Sequence, residues 1–361
     1  MKKLRVAIIG QGRSGMDIHV NNILALPKMF EIAAIVDPWK VRRDRGVEEL
    51  KCDGYKDYKP LLKRKDIDLV VNASPSHFHV PITLDLFKAG LNVLTEKPLT
   101  RKVKDVDKLM AAAEKSGSLF AIYQQSRYAA YFEQVKKVIA SGVLGRIVQI
   151  SICFSGYARR WDQQTVTAKD GGNLMNTGPH PLDQALRLMD LPLDTMPDIF
   201  CCMDRAHFFG DAEGHVNLTM RGPKAPIIDL EISSCKAYPT FLYQVYGTQG
   251  GMKANPNDAE WRYFIPSESP KHRAEAVPIH NEDCSPAYCG ETLKWYTRKW
   301  KVPPTKKDLF QSTGTSFYKM LYKHILKGES LEITPEQVRQ QIAVIEECHR
   351  QNPHIWGKNG K

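Results

Sequence analysis

The stretch LRVAIIGQGRSG, residues 4–15, decides the fold prediction. Its first six residues form an apolar run rich in branched side chains, which predicts a buried strand. Gly10, Gly12 and Gly15 follow at once in a G-x-G-x-x-G array, and a helical pattern of apolar residues begins directly afterwards. In a dinucleotide-binding loop, these glycines permit the tight turn, the approach of the pyrophosphate to the backbone and close packing of the helix. The backbone amides at the helix start would bind the phosphates.

A second strand, EIAAIVD at residues 31–37, ends in an acid about where the dinucleotide fingerprint expects one. Asp37 can accept hydrogen bonds from the adenosine ribose hydroxyls and would repel a 2′-phosphate, which favours NAD over NADP. Lys40, Arg42 and Arg43 follow closely and can offset that repulsion, so NADP stays an alternative cofactor. Taken alone, Asp37 is equally consistent with the start of a turn at Asp-Pro.

Strand and helix patterns continue to alternate after residue 37. This alternation predicts an α/β Rossmann domain with a doubly wound parallel sheet, whose ligand lies at the carboxyl ends of the strands. Two polar loops, ASPSHFH at 73–79 and TEKP at 95–98, are expected at those ends. We place the domain at residues 1–124. The further strands are predicted at 68–73, 91–95 and 119–123, with helices at 81–89 and around 106–113.

Residues 125–361 have the pattern of an α+β domain, with short strand runs in sequence and helices before and after them. In GGNLMNTGPHPLDQALRLM, residues 171–189, apolar residues at 182, 185, 186 and 189 predict an amphipathic helix with Pro181 in its first turn. His180 then stands beside a helix start. TPEQ at 334–337 predicts a capping box, and the helix it opens, 334–350, is expected to pack back on the first domain. The strands are predicted at 146–157, 199–208, 215–220, 226–235 and 240–247.

Composition narrows the classes of function. The chain has 361 residues, enough for two domains, and its 42% hydrophobic and 25% charged residues are typical of a globular protein. Without an apolar run long enough to span a membrane, it is predicted to be cytoplasmic with no membrane partner. The net charge of +11 comes from basic residues scattered among acids, so no nucleic-acid partner is expected. The eight cysteines show no metal-type spacing, and no metal is predicted.

Several motifs in the same order extend the prediction over nearly the whole chain. They are the glycine array, the SPSHFH loop, Glu96-Lys97-Pro98, QSRY at 125–128, GGNLMNTGPH at 171–180, YGTQGG at 246–251 and LEITPEQ at 331–337. With them the chain resembles the Gfo/Idh/MocA family of glucose-fructose oxidoreductases and inositol dehydrogenases. The resemblance implies a Rossmann domain followed by a domain with an open, mainly antiparallel sheet, which carries the substrate site and an oligomer interface. It also implies a homodimer or homotetramer and a small carbohydrate substrate: a sugar, an inositol or a glycoside.

The resemblance assigns the site residues. Lys97 and His180 correspond to the catalytic lysine and histidine, and Asn176 stands where many members have an aspartate. Pro98 is expected to follow a cis peptide bond. Asparagine still orients a hydroxyl or the imidazole, but it brings no charge to Lys97 or His180. The expected cofactor-binding residues are Gly10, Gly12, Arg13, Ser14, Gly15, Asp37, Ser74, Pro75, His79, Glu96 and Lys97.

The substrate side is expected to use donors and flat apolar faces, which suit a polyhydroxylated ring. For each of these residues, ordinary surface or interdomain packing is an equally good interpretation. Residues 266–315 form a long irregular segment, expected either to cover the substrate cleft or to reach across an oligomer contact. The candidates are Gln125, Arg127, Tyr128, Arg160 and Trp161, with Tyr157 and Arg159 beside them and Asn176 and His180 shared with the catalytic set.

Three functions fit the sequence. The first is an NAD(P)-dependent dehydrogenase or reductase in which His180 takes the hydroxyl proton and Lys97 stabilises the alkoxide or polarises the carbonyl. The second is a redox-neutral enzyme that uses NAD transiently to cleave a glycosidic bond. The third is a dinucleotide-binding regulator on the same fold without turnover.

Overall fold

The computed structural model describes residues 2–274 and 276–357 and contains two β-sheets. The first sheet has six parallel strands in the order β3-β2-β1-β4-β5-β6. From β1 the chain adds β2 and β3 toward one edge of the sheet, then returns to add β4, β5 and β6 on the other side of β1. The loops after β1 and β4 therefore meet at the switch point where a doubly wound sheet binds its ligand. The strands are β1 (Leu4–Ile9), β2 (Phe30–Val36), β3 (Asp53–Tyr55), β4 (Leu69–Asn72), β5 (Val93–Thr95) and β6 (Phe120–Ile122).

Helices cover both faces of the first sheet. The helix after β1 begins as a π-helical segment, Arg13–Val20, and continues as α1 (Asn21–Leu24). The others that connect the strands are α2 (Lys40–Leu50), α3 (His79–Lys88) and α4 (Val103–Ser116). A helix from far along the chain, α8 (Leu309–Lys327), returns to this sheet and packs Phe317, Tyr318 and Leu321 against Leu4, Val6 and Ile8.

The second sheet has eight strands in the order β14-β13-β12-β11-β7-β10-β9-β8. Only β7 and β10 pair in parallel; the other neighbours are antiparallel. One face, with Ile150, Leu218 and Leu230, is buried under helices. The strands are β7 (Ile147–Ser155), β8 (Asp198–Asp204), β9 (His215–Arg221), β10 (Ile227–Ser233), β11 (Tyr243–Gly247), β12 (Gly250–Ala254), β13 (Asp258–Tyr263) and β14 (Tyr296–Lys301).

The helices of the second half are α5 (Ala130–Ala140), α6 (Asn173–Asn176), α7 (Pro179–Met189), α9 (Pro335–Gln351) and α10 (Pro353–Trp356). The capping box forms at Thr334 and Gln337 as predicted. Helix α9 contacts the first domain, where Arg339 Nε lies 2.6 Å from Asp107 Oδ1 and Glu346 accepts a hydrogen bond from the amide of Val103. Short 3₁₀ helices lie at Lys59–Lys63, Ser76–Phe78, Gln125–Tyr128, Gln163–Thr165, Thr167–Lys169, Pro266–Glu268 and Pro304–Lys306.

The predicted fold class is confirmed: a parallel Rossmann-type sheet precedes a mixed, mainly antiparallel one. Three features differ from the predicted elements. Helix α2 and strand β3 were missed, and β12–β14 extend the second sheet beyond the predicted strands. The polar side of α7 is not solvated, because Asp183 and Gln184 are buried with the apolar residues. No helix of the described ranges is both long and apolar enough to cross a membrane.

Candidate active site

The glycine array forms a close-packed turn at the switch point of the first sheet. Gly10 has a φ of +91°, and a Cβ there would lie 2.4 Å from the carbonyl oxygen of Ala73, in the loop after β4. A Cβ at Gly15 would lie 1.8 Å from the carbonyl oxygen of Gly10. A Cβ at Gly12 would instead meet only Arg42 Nη1, 3.9 Å away. The turn is therefore closed where helix and strand meet and open at Gly12, which fits a pyrophosphate at the helix start.

Asp37 follows β2 and lies beside this turn. Its buried carboxylate accepts hydrogen bonds from the amide of Gln11 at 2.8 Å and from the amide of Trp39 at 2.9 Å. The hydrogen bond from Trp39 closes the turn that the sequence allowed at Asp-Pro. The hydrogen bond from Gln11 places the acid beside the glycine loop, and its contact with an adenosine ribose stays a prediction. The Arg42 guanidinium stacks over the Trp39 ring, 4.6 Å from its centroid.

His79 ties the two polar loops together. Its buried ring places Nε2 2.8 Å from the carbonyl oxygen of Ser74 and Nδ1 2.8 Å from that of Pro98. Burial lowers the pKa of His79, so the neutral ring donates one hydrogen bond to a loop carbonyl. Ser74 Oγ in turn donates to Asn72 Oδ1 at 2.7 Å. Pro75 precedes the short helix Ser76–Phe78.

Glu96 is a buried acid that begins the loop after β5. Its Oε2 accepts from the amide of Lys97 at 2.9 Å, and its Oε1 lies 3.1 Å from Nε2 of His19. His19 Nδ1 lies 2.7 Å from the hydroxyl of Tyr318 on α8. Burial alone would raise the pKa of Glu96, but the hydrogen bond from His19 and the charge of Lys97 lower it. Glu96 is therefore ionised and places a negative charge beside Lys97.

Lys97 joins the two halves of the molecule. Its Nζ donates a hydrogen bond of 2.9 Å to the backbone carbonyl oxygen of Asn176. The Lys97–Pro98 peptide bond is cis, as the resemblance implied. Burial lowers the pKa of Lys97, and the charge of Arg13 lowers it further, while Glu96 opposes both effects. The loop after β5 thus carries an ammonium group directly to the segment that leads to His180.

His180 lies in the first turn of α7, between Pro179 and Pro181. Its Nδ1 is buried without a hydrogen-bond partner. Burial and then the charge of Lys97 lower the pKa of His180 to about 3, with Glu96 acting in the opposite direction. The imidazole is therefore neutral near pH 7 and in the form that accepts a proton. Asn176 contributes its backbone carbonyl to Lys97, not its side-chain amide.

The predicted substrate residues at 125–128 lie in a buried short helix. Arg127 makes a two-pronged ion pair with Asp183 of α7, at 2.6 Å for both Nε and Nη2, and also contacts Gln337. Gln125 is buried, and Tyr128 lines a cavity of about 310 Å³ together with Arg127. Arg127 therefore packs the short helix against α7 and α9.

The residues at 157–161 are in a different environment, an exposed loop after β7. Trp161 is 78% exposed with its edge toward Phe209, and Arg159 lies over the Phe209 ring at 5.1 Å. Arg160 pairs with Asp162 at 2.6 Å. Tyr157 stacks on His207 at 4.9 Å between ring centroids. The rings offer flat faces to solvent, as a sugar-binding surface requires.

Sequence reasoning missed several buried polar residues beside the site. His19 and Tyr318 extend from Glu96, and Asp170 forms an ion pair with Arg101 at 2.7 Å. Glu213 lies under α6. None of them belongs to a recognisable motif, and each meets its partner only through the tertiary fold. Only Asp170 had a local feature that could have drawn attention to it, since it directly precedes two glycines.

The glycine turn, the acid after β2 and the parallel sheet define the first domain as a dinucleotide-binding domain of the Rossmann type. Residues 4–124 match a family model described as "Oxidoreductase family, NAD-binding Rossmann fold", and residues 132–253 match the "GFO/IDH/MocA C-terminal domain". The chain therefore belongs to the Gfo/Idh/MocA family of oxidoreductases. This confirms the resemblance drawn from the motifs and the NAD-binding role of the first domain.

Similar proteins cover the chain from end to end. The chain is 25% identical to a scyllo-inositol 2-dehydrogenase (NADP(+)) of Bacillus subtilis, over 95% of this chain and 92% of that protein. It is 24% identical to a 2,7-anhydro-N-acetylneuraminate hydratase of Mediterraneibacter gnavus, over 96% and 94%. Among solved structures, the WlbA dehydrogenase of Bordetella pertussis in complex with NADH and UDP-GlcNAcA aligns with a TM-score of 0.74 and 17% identity, over 100% of this chain and 97% of that one.

Proposed function

We propose that the protein is an NAD(P)-dependent oxidoreductase that interconverts a secondary hydroxyl and a ketone of a sugar, an inositol or a glycoside. The observation that carries the proposal is the hydrogen bond from Lys97 Nζ to the carbonyl oxygen of Asn176, because it brings an ammonium group to the segment that ends at His180. A cation and a neutral imidazole are the two groups that the reaction needs beside the reacting oxygen. The name of the inositol dehydrogenase relative supports this substrate class.

Oxidation of a carbinol removes a hydroxyl proton and a hydride, and the bound nicotinamide supplies the hydride acceptor. We assign the proton to Nε2 of His180, since Nδ1 is buried. Lys97 stabilises the negative charge that develops on the substrate oxygen. The charge of Lys97 helps to lower the pKa of His180, and the negative charge developing on the substrate oxygen offsets it. The imidazole therefore becomes a stronger base as the reaction proceeds. In the reverse direction, Lys97 polarises the carbonyl.

The cofactor-binding assignments rest on the first sheet. Gly10, Gly12 and Gly15 with the amides of Arg13 and Ser14 would hold the pyrophosphate. Asp37 would accept hydrogen bonds from the adenosine ribose, which favours NAD, while Arg42 over Trp39 supplies the charge that a 2′-phosphate would need. Ser74, Pro75 and Glu96 line the loops at the carboxyl ends of β4 and β5, with His79 holding these loops in place.

The substrate would lie between Lys97 and the exposed loop after β7. Trp161 and Tyr157 offer ring faces, Arg160 and the side-chain amide of Asn176 offer hydrogen-bond donors, and the substrate ring would contact both kinds of group. The substrate roles of Gln125, Arg127 and Tyr128 stay predictions. Because Arg127 pairs with Asp183 of α7, these residues would influence the substrate indirectly, through the position of α7. The homodimer or homotetramer also stays a prediction, which light scattering during gel filtration would test.

The test is to mix the purified protein with NAD⁺, and separately with NADP⁺, across a panel of inositols, sugars, sugar acids and glucosides while following the absorbance of reduced nicotinamide. His180→Ala should lower the rate about 10²- to 10⁴-fold while cofactor binding is retained, and Lys97→Met should lower the rate by a similar factor. His324→Ala is a matched control, since this histidine lies at the far end of α8 and contacts the carbonyl of Glu329. Tight cofactor binding with no reduction on any substrate would refute the dehydrogenase.

A redox-neutral reaction is the second candidate, because one relative over the whole chain is named a hydratase. In that case oxidation of a ring carbon acidifies its neighbour, a glycosidic bond is cleaved by elimination, and the hydride is returned. The same Lys97 and His180 would serve both steps. Analysis of the sugar products without net release of reduced nicotinamide distinguishes this candidate from a dehydrogenase. A regulator would bind the cofactor and give neither signal.

A further inference from the structure

Glu213 is a fully buried acid that the proposed reaction does not use. It lies in the loop before β9. Its Oε1 accepts a hydrogen bond of 2.9 Å from the backbone amide of Leu174, and its Oε2 accepts one of 3.0 Å from the indole Nε1 of Trp356. One oxygen therefore holds α6, and the other holds the last helix, α10.

The carboxylate also packs against the backbone at the start of α6. Gly172 has a φ of +102°, and a Cβ at this position would lie 2.3 Å from Glu213 Oε1. The amide of Asn173 donates to the carbonyl oxygen of Glu213 at 3.0 Å. The segment 172–176 is thus fixed to Glu213 through side chain and backbone. Its last residue, Asn176, is the acceptor for Lys97 Nζ.

Trp356 reaches the other half of the site as well. The Arg101 guanidinium lies over its ring, 5.4 Å from the centroid, and His349 stacks on the ring at 3.9 Å. Arg101 belongs to the loop that follows Lys97 and Pro98, and its Nε lies 2.7 Å from Asp170, two residues before Gly172. The indole therefore contacts the Lys97 loop through its ring and the 172–176 segment through its N–H.

We propose that Glu213 and Trp356 are positioning residues, which hold the 172–176 segment and the Lys97 loop in register for the contact between Lys97 and Asn176. The expected effect on catalysis rests on the proposed function, whereas the expected effect on the position of the 172–176 segment does not. Loss of the hydrogen bond from Leu174 frees the start of α6 directly, and loss of the one from Trp356 lets the Glu213 carboxylate move away from α6. Either change shifts the carbonyl of Asn176 and leaves Lys97 without its acceptor.

Protonation of Glu213 has the same effect as losing one hydrogen bond, because a neutral carboxyl presents an O–H where both neighbours are donors. Burial raises the pKa of Glu213 to about 7, against the hydrogen bonds from Leu174 and Trp356. The thiol of Cys348 on α9 is a further titratable group facing it, and the hydrogen bond with Cys201 together with burial raises the pKa of that thiol well above its usual value. The hydrogen bonding that fixes the 172–176 segment to Glu213 is therefore expected to weaken as pH falls through about 7.

The test uses hydrogen–deuterium exchange of the full-length protein, read on peptides covering residues 171–182, together with kcat and KM. Glu213→Gln removes the second acceptor, and Trp356→Phe keeps a ring and removes only the N–H. Both should speed exchange in 171–182 about tenfold, as expected for one lost charge-assisted hydrogen bond. They should lower kcat by a similar factor while the KM for the cofactor stays within about twofold. Glu260→Gln, which breaks a surface pair with Lys299 on the second sheet, is the matched control.

The pH profile separates positioning from a merely structural role. Wild-type kcat should fall as pH drops through about 7, and the Glu213→Gln variant should lack that step and run at the lower plateau. Unchanged exchange in 171–182 for Trp356→Phe would overturn the proposal, even if Glu213→Gln fails to fold. If the wild-type protein shows no turnover but both variants exchange faster in 171–182, the positioning contacts are supported and the proposed function is refuted.

Discussion

Replacing Glu213 with glutamine should change how the stability of the protein depends on pH. Burial raises the pKa of this carboxyl from 4.5 to about 7. Below about pH 4.5 the group is protonated in both the folded and the unfolded chain and costs nothing. As pH rises toward 7 the unfolded chain ionises first, so the native state loses stability. The difference between a pKa of 4.5 in the unfolded chain and about 7 in the native state gives a loss of about 3 kcal/mol, complete above pH 7.

Glutamine is neutral throughout, so the variant should not show this loss. The assay is urea unfolding of both proteins at several values between about pH 5 and about pH 8. The stability of the variant relative to wild type should improve by about 2.5 kcal/mol across that range, whatever constant offset the lost hydrogen bond to Trp356 adds. A difference that stays flat within about 1 kcal/mol would refute the assigned cause.

Other buried groups do not disturb this comparison. Burial lowers the pKa of His180 and of His349 to about 3. Each therefore stabilises the native state fully above the ordinary histidine pKa, and this contribution is lost as pH falls from about 6.5 toward 3. Because both histidines are present in both proteins, their contribution cancels in the difference.

Three further predictions follow from packing and charge. Gly15→Ala places a methyl group 1.8 Å from a backbone oxygen and should abolish cofactor binding and lower Tm, whereas Gly156→Ala, whose Cβ would meet open space, should do neither in thermal melts and titrations with NAD. Arg127→Met breaks a buried ion pair and should cost about 3–5 kcal/mol in urea unfolding, against less than about 1 kcal/mol for the exposed Arg339→Met; equal losses would contradict the burial argument. Asp37→Ser should weaken NAD and relieve repulsion of NADP, so the ratio of their binding constants should move at least about tenfold toward NADP, and an unchanged ratio would exclude a ribose contact.

The first sheet was largely predictable from sequence because its strands are short apolar runs. β1 spans the predicted residues, and β2, β4, β5 and β6 lie within a residue or two of prediction. Helix α2 was missed because it buries only Gly46 and has no apolar face to reveal its period. Strands β13 and β14 carry alternating charges near the edge of the second sheet, and the pattern of a buried strand is weak there.

The candidate site likewise contains residues that the sequence could predict and residues that it could not. Lys97 and His180 were found because they lie in local motifs. The burial of Arg127 could not be predicted, since its partner Asp183 occupies the polar side of an amphipathic helix and looks solvated in sequence. Glu213 was missed because its two partners, at positions 174 and 356, meet only in the folded chain. Periodicity reports which face is apolar, and it carries no information about which polar groups pair.

The return of α8 to the first sheet has a consequence for the order in which the chain can fold. Leu4, Val6 and Ile8 are buried partly by Phe317 and Tyr318, which are synthesised about three hundred residues later. At about 5–20 residues per second, a ribosome takes roughly 10 to 40 s to pass from the end of β6 to the end of α8. Throughout that interval the newly made sheet exposes an apolar face. A fragment ending at residue 124 would lack the covering from α8, so we expect the nucleotide-binding half to aggregate when the chain is cut where its last strand ends.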